Sequence, residues 1–184
     1  MRTIYIIGTL HLGYVPKDEL YHELDKLRPD FLFLELPNVP IEQIKANADL
    51  RDEMISAYEW AIKNSVPTVF YDADTKILRE DVDTSSPIFQ ENLDFQRRIL
   101  DSGQYSWKDF NNEETLHILD TPTQHLVSDP AKEEEREHRM LEKINQHMIS
   151  KGTVLILTGA SHLYFFEKNL PQAIFPFRKQ SAVQ

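Results

Sequence analysis

Short, continuous apolar segments alternate along this chain with longer segments of helical periodicity, and this alternation limits the fold more than any other feature. The apolar segments lack the period-two pattern of half-exposed strands, which indicates strands buried on both faces of a sheet. Strands that alternate with helices predict an α/β fold, with a mostly parallel central sheet flanked by helices. The predicted strands are residues 3–8, 31–36, 66–71, 153–158 and 173–177, and the predicted helices are residues 16–27, 41–63, 87–101, 112–119, 130 to about 150 and 162–169.

The length of 184 residues predicts a single domain, residues 1–184. The last predicted strand contains Pro176, which favours an edge position in the sheet. Residues 76–127 interrupt the alternation, because they are polar and offer helices without strands. We interpret them as a helical insertion, which either caps the sheet edge as a lid or packs as ordinary helices on one face of the sheet.

Composition excludes several classes of protein. The chain has no cysteine, which removes disulfides, thiolate metal sites and cysteine nucleophiles. Its 20 basic and 30 acidic residues give a net charge of −10, so neither a nucleic acid nor an anionic membrane is an expected partner. No targeting segment or long apolar run is visible, and a cytoplasmic location is therefore expected.

Chemically active side chains follow four of the predicted strands, at the carboxyl ends where open α/β sheets bind their ligands. A carboxylate at Glu35 would lie inside an apolar strand end, where it needs a cation or hydrogen-bond donors. The two aspartates after the third strand are more often turn or helix-start residues, and we favour that interpretation. The set comprises His11, Glu35, Asp72 with Asp74, and His162.

The two histidines share a G-x-x-H pattern, since Gly8 precedes His11 and Gly159 precedes His162 by three residues. Glycine permits a turn with positive φ and a close approach of backbone to ligand. A lone histidine in such a turn is more often structural, but the repetition favours a function. Two imidazoles with the Glu35 carboxylate suit a divalent transition metal that keeps a position for a nucleophilic water. Without a metal, the same groups could act as a general base and its orienting carboxylate.

Arg136 lies in one helical row with Met140 and Ile144, on the helix that begins at residue 130. An arginine turned toward the interior binds a carboxylate or an anionic transition state. Periodicity alone slightly favours an ordinary surface salt bridge instead. The role of His147, on the same helix, is open in the same way. The remaining histidines are interpreted as structural or exposed: His22, His117, His125 and His138.

Four segments of the chain, residues 7–13, 29–36, 134–140 and 157–162, resemble in this order the TraB/PrgY–GumN–Tiki family. That family belongs to a superfamily with erythromycin-esterase-like and ChaN-like proteins. Its pattern combines two G-x-x-H motifs, a glutamate after a P-D-x-x-x-x-E-L strand, and an E-R-N-x-x-M helix start, where this chain has Glu137 in place of the asparagine.

The resemblance implies an active site of His11, Glu35, Arg136 and His162, in which the two histidines and Glu35 are the metal ligands. Tiki members look like metal-dependent proteases, and other relatives are implicated in the inactivation of peptide pheromones. The erythromycin-esterase branch hydrolyses a lactone without a firm need for metal, and ChaN-like relatives bind haem.

The sequence therefore predicts a hydrolase of peptides or small esters or amides, dependent on divalent manganese, cobalt or zinc. His11, Glu35 and His162 would hold the metal and its water, and Arg136 would stabilise an oxyanion or bind a substrate carboxylate. Two alternatives stay open, a metal-independent esterase-like hydrolase with a histidine base and a regulatory protein that binds haem or a peptide without chemistry. The helix predicted over residues 41–63 could form a homo-oligomer face or lie buried on its own sheet.

Overall fold

A parallel sheet forms the centre of the protein. The computed structural model describes residues 1–11, 13–45, 52–72, 86–121 and 129–179. Within these ranges, four strands form one sheet in the order β1-β4-β2-β3, and every neighbouring pair is parallel. The strands are β1 (Arg2–Thr9), β2 (Phe31–Pro37), β3 (Thr68–Asp72) and β4 (Gly152–Gly159).

Seven α-helices of the described residues flank this sheet, which confirms the predicted α/β class. None of them is both long and apolar enough to cross a membrane. They are α1 (Lys17–Leu27), α2 (Ile41–Lys45), α3 (Asp52–Lys63), α4 (Pro87–Asp101), α5 (Glu113–Leu116), α6 (Pro130–His147) and α7 (Leu163–Asn169).

The core lies at the middle of the sheet, where the apolar segments are covered on both faces. Ile6, Ile156 and Phe33 lie side by side on β1, β4 and β2, and all three have no exposed surface. Complete burial of such a side chain is worth about 1.5–3 kcal/mol. The continuous apolar runs therefore place the strands in the centre of the molecule, as the sequence predicts.

Helix α6 begins and packs as its sequence indicates. The Asp129 side chain accepts a hydrogen bond from the Ala131 amide, and a proline occupies the first turn. Its buried residues are Arg136, Met140 and Ile144, so the row predicted from periodicity is the face turned inward. This orientation carries Arg136 to the strand ends.

Two predicted elements differ in the structure. Residues 173–177 form no strand; Ile174 makes a single bridge to Tyr5, with hydrogen bonds to the backbone of Ile4 and Ile6. The pairing stops there because Pro176 has no amide hydrogen to continue a ladder, although the edge position beside β1 is correct. The helix predicted over 41–63 is described as α2 and α3, and residues 46–51 lie outside the described ranges.

The interpretation of residues 76–127 as helical is confirmed for 86–121, the part of this segment that the structure describes. This part packs directly on β1. The Asn111 side chain accepts a hydrogen bond from the Gly8 amide at 2.8 Å and donates one to the Gly8 carbonyl at 2.9 Å. Trp107 and Phe110 are buried in the core. The described part thus lies along the edge strand β1, and it lines a cleft together with one of the predicted site histidines.

Candidate functional site

The sheet order brings the four predicted site residues together. His162 follows the central strand β4, His11 follows its neighbour β1, and Glu35 lies near the end of its other neighbour β2. Asp72 ends β3, one strand further out. Parallel strands share one carboxyl edge, so these residues meet although they are far apart in sequence.

Glu35 lies at the centre of the site, 1% exposed. The pairing of β2 with β3 shifts register between Leu34 and Pro37, and such a bulge redirects a side chain. The Glu35 carboxylate accepts hydrogen bonds from Thr158 Oγ1 at 2.8 Å and the Gly159 amide at 2.5 Å, both to Oε2. These donors satisfy a carboxylate that the surrounding strand would otherwise leave without partners.

Arg136 connects Glu35 to the outer strand. Its guanidinium is 2% exposed, with Nη2 donating to Glu35 Oε1 at 2.7 Å and Nε donating to Asp72 Oδ1 at 2.9 Å. The sequence also allowed a surface salt bridge for Arg136. Among the described contacts this bridge is limited to one hydrogen bond, from Arg136 Nη1 to Glu133 one turn away, at 3.2 Å. Asp72 has no exposed surface, so the interpretation of Asp72 as a turn residue is wrong: it is a buried partner of Arg136.

His162 is held from both sides. Its Nδ1 lies 2.8 Å from Glu137 Oε1, and its Nε2 lies 3.5 Å from Glu35 Oε1 and 3.2 Å from Arg136 Nη1. Burial lowers the pKa of this imidazole, but the charges of Glu35 and Glu137 outweigh burial and the opposing effect of Arg136, and they raise the pKa to about 9.

His11 has the same kind of environment but reaches the surface. Its Nδ1 lies 2.7 Å from Glu53 Oε1, its Nε2 lies 3.9 Å from Glu35 Oε1, and its side chain is 29% exposed. Burial lowers the pKa of His11, while Glu35 and Glu53 outweigh this effect and raise it to about 9. His11 is therefore the site imidazole best placed to touch a bound substrate.

The carboxylates that hold the two histidines, Glu53 and Glu137, were not predicted. Glu53 lies on the buried face of α3, in one helical row with Ala57 and Ala61. A carboxylate in such an apolar row is the sequence signal from which Glu53 could have been predicted. Glu53 is 1% exposed, and its Oε2 has no hydrogen-bond partner among the described residues. The sequence marks Glu137 only as the residue after Arg136.

The two glycines of the G-x-x-H pattern act by close approach, since neither has a positive φ. A Cβ on Gly8 would lie 2.6 Å from Leu163 Cδ1. A Cβ on Gly159 would lie 3.2 Å from His11 Nε2 and 3.5 Å from Glu35 Oε2. The missing side chain at residue 159 thus leaves the space into which His11 and Glu35 point.

The donor types of His11, Glu35 and His162 fit a divalent transition metal. The Nε2 atoms of His162 and His11 lie 3.5 and 3.9 Å from Glu35 Oε1. Two ligand atoms of a tetrahedral metal ion are about 3.4 Å apart. Each imidazole also has its Nδ1 on a carboxylate, the arrangement that orients metal-bound histidines. Nevertheless, among the described residues no group of three His, Asp or Glu side chains has the arrangement of a metal site, and Arg136 bonds to two of the candidate ligands.

The other candidate residues lie apart from this cluster. His147 is exposed, with its Nδ1 near the Lys143 carbonyl of its own helix. His22, His117 and His138 are exposed, as predicted. Asp74 and His125 lie outside the described ranges.

Comparisons of the chain with models of protein families, with curated proteins and with solved structures found no match. The resemblance to the TraB/PrgY–GumN–Tiki family and the function therefore depend on the residues themselves.

Proposed function

We propose that the chain is a divalent-metal-dependent hydrolase of peptides or small esters or amides, with its active site at His11, Glu35, Arg136 and His162. The observation that carries this proposal is the pair of imidazoles with their Nε2 atoms within 3.5 and 3.9 Å of the same Glu35 oxygen. Both are fixed at Nδ1 by a carboxylate, and both present Nε2 toward Glu35 Oε1.

The charge of the site supports a bound cation. The site contains four carboxylates and one guanidinium, and three of the carboxylates are at most 1% exposed. The raised pKa values of His11 and His162 express the same excess of negative charge, because two imidazolium protons offset it. One divalent cation supplies the same positive charge and competes with these protons for the Nε2 atoms. The carboxylates are Glu35, Glu53, Asp72 and Glu137.

The roles of the side chains follow from their exposure. His11, Glu35 and His162 would hold the metal, which when bound supplies a water of lowered pKa for attack on a carbonyl. His11 faces the substrate, and Glu53 fixes its orientation. Arg136 has its donor groups directed at three carboxylates, two of them buried, and at His162, so it positions Glu35 rather than contacting the oxyanion.

A metal-independent hydrolase with His11 as general base is the second candidate, and the contacts of Arg136 favour it. Arg136 Nη1 lies only 3.2 Å from His162 Nε2, so the guanidinium stands close to where a metal bound to this nitrogen would lie. In this mechanism neutral His11 takes a proton from water while Glu53 stabilises the imidazolium formed. Because the pKa of His11 is raised to about 9, the rate should increase with pH up to about that value.

Metal binding and hydrolysis test the proposal separately. We expect wild-type protein to bind Mn²⁺, Co²⁺ or Zn²⁺ in equilibrium dialysis, and a folded His11→Ala/His162→Ala variant to lose this binding. Hydrolysis of fluorogenic peptides and p-nitrophenyl esters should disappear in His11→Ala and after chelation. His138→Ala is the matched control, because His138 is an exposed histidine, 56% accessible, that contacts no site residue in the described contacts.

The outcomes separate the candidates. Equal metal binding by the double variant would show that the metal assignment is wrong. Hydrolysis that depends on His11 but survives chelation and rises toward high pH would select the metal-independent mechanism. Hydrolysis that is the same in wild type and His11→Ala would contradict both.

A further inference from the structure

A cleft of about 380 Å³ opens beside His11, between the ends of β1 and β4 and the described part of the helical insertion. Four leucines form one wall of this cleft. Leu10, Leu100 and Leu119 line it and are each 8% exposed, so these otherwise buried side chains present part of their remaining surface to the cleft. Leu116 of α5 completes this apolar wall.

The polar groups of the cleft are unsuited to an anion. No lysine or arginine is among the described residues that line it, and His117, at its rim, has its Nδ1 2.7 Å from Asp120 Oδ2. Gln96 donates its amide to the Leu119 carbonyl at 3.3 Å. The buried carboxylate Glu53 lies directly behind His11. A negatively charged ligand would therefore meet apolar surface and the carboxylates behind His11, and the positive charge of the His11 imidazolium is already offset by Glu35 and Glu53.

We infer that this cleft binds the apolar chain of an uncharged substrate, and that this chain lies next to the bond that is cleaved at His11. The inference rests on the proposed function, to which it adds the substrate class: an ester or amide with an aliphatic group of several carbons and no acidic group near the scissile bond. The leucine wall supplies the binding energy, and His11 at its end places the carbonyl.

Binding of uncleaved probes tests the cleft without reference to catalysis. We expect the Kd of N-methylbutanamide, N-methylhexanamide and N-methyloctanamide, measured by ligand-observed NMR, to fall about two- to fourfold per methylene. Hexanoate should bind about tenfold more weakly than N-methylhexanamide, because the charge of His11 is already offset by Glu35 and Glu53 and the carboxylate loses its hydration. Affinities that do not depend on chain length, or equal affinities for amide and carboxylate, would overturn the inference.

Paired variants locate the binding. Leu116→Asp places a charge in the cleft and should remove the dependence on chain length, whereas Ile118→Asp should keep it. Ile118 lies on the same segment, is 37% exposed and does not line the cleft. If Leu116→Asp does not fold, Leu116→Ala shortens the same wall and should weaken the dependence. An unchanged dependence in the folded Leu116 variant would refute this location.

Hydrolysis rates then test the substrate class separately from the hydrolase function. The kcat/KM for p-nitrophenyl acetate, butyrate and hexanoate, after subtraction of the His11→Ala rate, should increase in this order. Equal His11-dependent rates on all three esters would overturn the substrate class and leave the hydrolase proposal standing. Chain-length-dependent binding with no His11-dependent hydrolysis would keep the apolar cleft and overturn the proposed function.

Discussion

Replacement of Glu53 by glutamine tests whether this unforeseen carboxylate controls the site. Glu53 Oε1 lies 2.7 Å from His11 Nδ1, and the side chain is buried. Glutamine keeps the shape of the side chain and removes its charge. The variant Glu53→Gln should therefore lower the pKa of His11 while the fold is kept.

The expected size of the shift follows from distance and burial. Two unit charges about 4 Å apart interact by about 4 kcal/mol at an effective dielectric constant of 20, or about three pKa units. The pKa of His11 is raised from 6.5 to about 9 by Glu35 and Glu53 together, against the effect of burial. We therefore assign to Glu53 a share of about one to two pKa units.

The assay is a pH titration of the imidazole resonances by NMR, in protein freed of metal by a chelator. Stability gives a second readout, because the folded-state pKa of His11 lies above its unfolded value. The resulting stabilisation is complete below pH 6.5 and is lost as the pH rises through about 9. Urea unfolding of wild type should lose about 1–3 kcal/mol more over this interval than Glu53→Gln does.

Glu59→Gln is the matched control, because Glu59 lies on the same helix, is 41% exposed and pairs only with lysines in the described contacts. It should leave the His11 titration unchanged. The reasoning would be refuted if His11 in Glu53→Gln titrated at its wild-type midpoint.

Three further substitutions test the contacts that assemble the site. Arg136→Met leaves the buried carboxylate of Glu35 without its cation and should lower the free energy of unfolding by about 3–5 kcal/mol in urea; a loss typical of a surface residue would contradict the buried pairing. Gly8→Ala brings a Cβ to 2.6 Å from Leu163 Cδ1 and should lower Tm in calorimetry by an amount equivalent to about 1–3 kcal/mol. An unchanged Tm would show that Leu163 does not pack closely on residue 8. Asn111→Ala removes both hydrogen bonds to the Gly8 backbone, and proteolysis within residues 86–121 should therefore accelerate. Proteolysis at the wild-type rate would show that the apolar contacts alone hold the insertion in place.

The sequence was sufficient for the fold class because its strand signals are strong and local. Continuous apolar runs predicted all four strands, and the helical row predicted the inward face of α6. It failed at residues 173–177, where an apolar run next to the edge strand makes only one bridge. Propensity reflects the apolar run and not the register of its hydrogen bonds, so it did not show that the missing amide hydrogen of Pro176 ends the pairing after one bridge.

The site was predicted in part for a related reason. His11, Glu35 and His162 follow strands, so the rule that ligands bind at carboxyl ends identified them. Glu53 lies on a helix and approaches His11 only after α3 has packed, which is information about packing and not about pattern. The same limit applies to Asp72, whose buried pairing with Arg136 requires the angle of α6 on the sheet.

The position of β4 has a consequence for the order in which the protein is made. β1 and β2 are not paired with each other; each is hydrogen-bonded to β4, which follows β2 by more than a hundred residues. While the ribosome synthesises the chain, β1 has no strand partner among the described strands until residues 152–159 have emerged. The nascent chain thus carries an unpaired apolar strand while the more than a hundred residues between β1 and β4 are synthesised. This state is prone to aggregation, and closure of the sheet is a long-range event. Assembly of the cluster coincides with that closure, because His162 follows β4 directly; chains that end before β4 contain His11 and Glu35 but not the site.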